Sequence, residues 1–178
     1  SLGAGDGSLL VGSDATETNV KAAPLSDFQV VAFATHGLVA GELAVVSEPA
    51  LVLTPPTKGT ETDDGLLTAS EVAQLKLDAD WVILSACNTA AADGTPGAQG
   101  LSGLAKAFFY AGSRALLVSH WPVVSDAAVA LTTRMLSAAK TGLTRAEAHR
   151  QAMIDTGPTL NAHPALWAPF VVAGEGGK

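Results

Sequence analysis

The chain has 178 residues, a net charge of −7 at pH 7 and one cysteine. That length buries one core without staples, so a single domain over 1–178 is expected. The lone thiol excludes an intrachain disulfide framework and a cysteine-based metal cluster. An acidic balance with no block of Lys or Arg argues against nucleic acid and against an anionic membrane surface. Hydrophobic residues make up 48% and mean hydropathy is +0.31, yet no apolar run approaches the ~18 residues of a membrane span. The excess therefore belongs to a core or to a contact surface. One free thiol fits a reducing, cytoplasmic setting. With no signal-peptide pattern at Ser1 and no initiator Met, the expectation is a piece of a longer polypeptide.

Residues 1 to 13 are glycine-rich around Leu9-Leu10-Val11. The Gly3-x-Gly5-x-Gly7 spacing neither follows a strand nor opens a helix, so it does not read as a phosphate loop. A short helix is expected from about Ala15 to Ala23, stopped near Pro24. Gln29 to Thr35, QVVAFAT, reads as a buried strand ending in His36-Gly37. Residues 42 to 53 suggest a hairpin around Pro49, and Thr54 to Gly65 a polar loop. Thr68-x-x-Glu71 is a capping box opening a short helix.

Trp81-Val82-Ile83-Leu84 has no polar face, as expected of a strand covered on both sides. The chain then turns polar through Ser85, Ala86, Cys87, Asn88 and Thr89. Ala90 to Gln99 is a loop. A helix from about Gly100 to Ala111 puts Leu101, Leu104, Ala105 and Phe108 on one stripe and stops at Gly112. Ala115 to Ser119 is a third strand, followed by His120-Trp121-Pro122. Ser125 is placed to cap a helix presenting Ala128, Leu131, Met135 and Ala139. Thr144-x-x-Glu147 is a second capping box, and Phe170 to Val172 the last strand. Apolar strands alternating with helices predict an α/β layered fold with a mostly parallel sheet and helices on both faces.

Ligand crevices in open α/β sheets lie beyond the carboxyl ends of the strands. Cys87 and His36 each stand there, 51 positions apart. A thiolate is the nucleophile, and a nearby imidazole lowers the thiol's pKa or takes its proton. Gly37 leaves an unhindered N–H that, with the N–H of Cys87, can form an oxyanion hole. Caspases place their histidine roughly 50 residues before the cysteine. The competing reading is a buried, inert cysteine and a hydrogen-bonding structural histidine.

FATHG (33–37), LLTASEVAQLKL (66–77), VILSACNT (82–89), GLSGLAKAFFYAGSRALLVSHWPV (100–123) and HPALWAPFVVAG (163–174) together resemble the CHAT family. These are caspase-like domains related to clan CD cysteine peptidases and often found behind TPR repeats. The resemblance covers roughly residues 10 to 174. It implies a caspase-like three-layer sandwich, with His36 matching the family's base and Cys87 its nucleophile. It also implies one or two strands upstream of Leu9 and a TPR or similar sensor domain on the same polypeptide. Members usually carry Leu where this chain has His120, which therefore reads as a core-lining histidine.

Asp126 matches an acidic position of the family. It reads as a substrate-pocket carboxylate or, equally, as a first-turn acid favoured by the helix macrodipole. Asp93 is a further pocket candidate, though a solvated loop acid fits it better, and Asn88 shapes the turn at the nucleophile. An acidic pocket would favour a basic P1 side chain. Trp121 and Trp167 read as core aromatics and His163 as a structural hydrogen-bonder. Neither Ser85 nor Ser119 suggests a serine triad. The expected function is a cysteine endopeptidase acting on a protein or peptide substrate, with no cofactor or metal implied. The alternative is a catalytically silent docking module. A small-molecule α/β hydrolase would need a G-x-S-x-G elbow, which is missing.

Overall fold

A computed structural model describes residues 8–40, 47–60, 62–85, 103–157 and 163–177. In chain order these residues form α1 (Glu17–Ala22), β1 (Val30–Phe33), β2 (His36–Leu38), β3 (Ala50–Val52), β4 (Leu66–Thr68) and α2 (Ala69–Val72). There follow β5 (Trp81–Leu84), α3 (Gly103–Tyr110), β6 (Ala115–Ser119), α4 (Ser125–Lys140), α5 (Arg145–Thr156), α6 (Pro164–Trp167) and β7 (Phe170–Gly174).

The main sheet has the order β1-β5-β6-β7, with β1, β5 and β6 parallel and β7 antiparallel to β6. Side chains alternate faces along a strand, and here both faces are covered. Val31, Phe33, Val82, Leu84, Leu116 and Val118 pack with Val72 of α2 and with Leu104, Ala105 and Phe108 of α3. Trp81, Ile83, Ala115 and Leu117 pack on the opposite face with Leu131 and Met135 of α4 and with Ala148 and Ala152 of α5. The result is the expected α/β sandwich of helix, sheet and helix.

Three features depart from the sequence reading. β1 lies at the edge of the sheet and is buried only at alternate positions, leaving Val30 42% exposed. Its apolar run signals a fully covered strand, but alternate burial is what one covered face requires. β3 falls inside the expected hairpin, yet it pairs with β2 and with β4 in a separate antiparallel sheet of order β2-β3-β4. β4, three residues long, was hidden in the run between the polar loop and the capping box. Third, Ser125 does not cap α4: Val124 occupies the N-cap position without a side-chain bond.

Both capping boxes form, Thr68 with Glu71 and Thr144 with Glu147. Gly112 ends α3 at φ +107°, where an added Cβ would sit 2.3 Å from the carbonyl oxygen of Leu77. Only glycine tolerates that combination.

A buried polar tie joins α1 to α2. Glu17 is 1% exposed, ion-pairs with Lys21, and accepts the N–H groups of Asp64 (3.1 Å) and Gly65 (3.3 Å). Lys21 also reaches Glu71 at 2.9 Å. Burial pushes the Glu17 carboxyl up from its ordinary value. Burial acts the same way on Glu71, but Lys21 and the N–H and hydroxyl of Thr68 outweigh it and hold that carboxyl down at about 2. A depressed carboxyl stabilises the fold above its unfolded value and ceases to do so as pH falls through the folded one. Acid titration should therefore cost wild type stability between pH 4.5 and about 2. Glu71→Gln should show a shallower loss in that window, measured by urea unfolding at stepped pH.

Candidate functional site

Because β1, β5 and β6 run parallel, their carboxyl ends open on one edge of the sheet. Phe33 and Leu84 are register partners at that edge. The ladder extends one bond further, with the Ser85 N–H donating to the Phe33 carbonyl at 3.0 Å. Three residues beyond Phe33 is His36, and three residues beyond Leu84 is Cys87. The two residues thus follow the paired ends of β1 and β5 at equal distances in sequence. Cys87, Asn88 and Asp93 themselves lie outside the described residues.

His36 does not stand on the tip of β1, as the sequence suggested. β1 ends at Phe33, and His36 opens β2 in the smaller sheet, opposite Val52. The Thr35 hydroxyl donates to the Val52 carbonyl, fastening the turn between the two sheets. The histidine backbone is thus held from both sides while its side chain is exposed. Gly37 follows in β2 opposite Leu51 and is partly buried. Thr35 was not singled out from sequence. A hydroxyl directly before the histidine was the available signal, but nothing local shows that it would reach a carbonyl 17 positions away.

Past β6 the same edge carries His120, Trp121 and Asp126. His120 is not core-lining. The chain has already left the sheet at Ser119, so His120 is exposed while its backbone N–H donates to the Pro169 carbonyl at 2.9 Å. Trp121 is likewise not a core aromatic. It is 38% exposed, and its indole N–H reaches the Ala165 carbonyl at 3.2 Å. Trp167 is partly buried and packs against the core layer around α4 and α5.

Asp126 lies in the first turn of α4 and is exposed. That position suits a carboxylate beside unpaired helix N–H groups, and it also lies on the crevice side of the sheet. His163 is the structural hydrogen-bonder expected: its Nδ1 accepts the Ala165 N–H at 3.3 Å and caps α6. Ser119 is fully buried. Among the described residues no group of three or more His, Cys, Asp or Glu could hold a metal ion, and no helix is long and apolar enough to cross a membrane.

A mostly parallel sheet between helical layers places this protein in the caspase-like α/β class. The CHAT domain profile matches residues 1–175, and the chain belongs to the CHAT domain family. It is 31% identical over 200 aligned residues to mouse "Tetratricopeptide repeat protein 28" and 30% identical to the human protein of that name. Each alignment covers 93% of this chain and 8% of the relative, so the chain spans under a tenth of those relatives' length.

Proposed function

We propose that this domain is a cysteine endopeptidase with Cys87 as nucleophile and His36 as its acid–base partner. The observation supporting this most directly is the Phe33–Leu84 register, which sets side by side the ends of the two parallel strands that precede His36 and Cys87 in the sequence. In this reading His36 draws the proton from the Cys87 thiol, and the thiolate adds to the substrate carbonyl. The N–H groups of Gly37 and Cys87 hold the oxyanion. The proton passes from His36 to the leaving amine as the C–N bond breaks, and water then hydrolyses the thioester. Asp126, with Asp93 as the weaker candidate, would give the pocket its preference for a basic P1 side chain, while Asn88 shapes the turn beside the nucleophile. A repeat domain on the same polypeptide would gate access to the site.

A second reading is favoured by the small share of the relatives that this domain matches. In it, the domain is a docking module that uses the same fold without turnover. A peptide library incubated with the full-length parent protein separates the two. Cleavage that is enriched after Lys or Arg and absent in Cys87→Ala is the expected result. Cleavage without a basic preference would remove the pocket role of Asp126. No cleavage at all, together with a Cys87 thiol that reacts no faster than free cysteine, would leave the docking reading.

A further inference from the structure

His149, on α5, is 8% exposed. It lies apart from the crevice and, among the described residues, belongs to no ion pair. Its ring shares a hydrogen bond with the backbone of Phe170 in β7, and its Nε2 is buried with no hydrogen-bond partner among the described residues. A neutral imidazole tolerates this, since one nitrogen can remain an undonated acceptor. An imidazolium cannot, because both nitrogens then carry protons and a net charge sits in an apolar joint.

We propose that His149 makes the joint between α5 and β7 acid-sensitive: a proton taken up by the imidazole releases β7 and the adjoining α6 turn from α5. Among the described residues, no carboxylate on the packed elements pairs with the ring. On α5, Arg145 lies one turn earlier and is itself a cation, paired with Asp80 at 3.4 Å and Glu175 at 4.0 Å. Elsewhere on the helix, Glu147 is used by the Thr144 cap, Arg150 is exposed, and Asp155 accepts from Gln151 at 2.9 Å. β7 has no titratable side chain, and neither has α6, which follows His163. α4 packs on both α5 and α6. It contributes Arg134, bonded to Thr156 at 2.9 Å, with Asp126 and Lys140 near its two ends.

Burial lowers the His149 pKa below its ordinary 6.5, and the Phe170 backbone bond opposes this only in part. A group depressed in the closed state stabilises that state above its open-state value and withdraws the support as pH falls through 6.5 toward the closed value. Opening would also reach the crevice, because Pro169 and Ala165 hold His120 and Trp121.

The test is amide hydrogen exchange at pH 7.5 and 5.5, corrected for intrinsic rates, on wild type and His149→Leu. One proton per opening limits the change to about tenfold per pH unit, or about tenfold over this range given an open-state value near 6.5. Phe170–Gly174 and α5 should lose protection by up to that factor in wild type, while Val82 and Ile83 keep theirs. His149→Leu should lose none. Equal loss in both proteins, uniform loss across all strands, or no loss in wild type would overturn the proposal. Should His149→Leu fail to fold, NMR titration of the wild-type ring decides: proton uptake below 6.5 supports the joint, and uptake at or above 6.5 refutes it.

Discussion

Alanine at position 36 should slow alkylation of Cys87 at pH 7 by about tenfold or more and converge with wild type near pH 9.5. The thiolate fraction sets the size of this effect. An ordinary thiol of pKa about 8.5 is only roughly 3% ionised at pH 7, whereas a thiol paired with an imidazole is largely ionised. Loss of the base therefore removes most of the reactive species at neutral pH and almost none above the unperturbed value. In turnover the same substitution removes the proton acceptor and donor, a role worth about 10²–10⁴ in rate. Because the His36 side chain is exposed and its backbone is held by β2 pairing and the Thr35 bond, truncation leaves no cavity. The fold should be unaffected, which circular dichroism on the same samples would check. Alkylation rates that coincide at pH 7 would end the catalytic pairing.

Much of this frame was legible because burial on both faces leaves a strong imprint. Trp81–Leu84 and Ala115–Ser119 are apolar at nearly every position, and both are central strands. The two capping boxes were legible because their chemistry is local, a hydroxyl and a carboxylate three residues apart. What sequence hid depended on partners far along the chain. The exposed face of β1 reflects its edge position, and a three-residue strand such as β4 carries too few residues for a period-2 signal. Trp121 and His120 were misplaced for a related reason. Aromatic identity predicts burial on average, but where the sheet stops decides it here, and each residue is tied to the α6 region by a single hydrogen bond. Between Cys87 and His36, the spacing said nothing of contact. Strand adjacency and register set the ends of β1 and β5 side by side, which the spacing did not show.

Phe108→Ala should be the most damaging of the core truncations. Phe108 is fully buried on α3 and meets Phe33 with ring centroids 5.4 Å apart, tilted by 50°. Removing it forfeits the transfer free energy of the ring and leaves a cavity that the flanking strand and helix cannot fill, together about 3–5 kcal/mol. The lost aromatic contact is included in that range. For a domain of this size each kcal/mol moves Tm by about 2–4 °C, so a fall of roughly 6–20 °C is expected. Phe33 is the last residue of β1 and the register partner of Leu84. The cavity therefore opens directly beneath the edge formed by the carboxyl ends of β1 and β5. Conservative replacement by Leu should recover part of the loss by refilling volume. Calorimetry showing a fall of no more than 2 °C in Phe108→Ala would mean that α3 does not seal this layer.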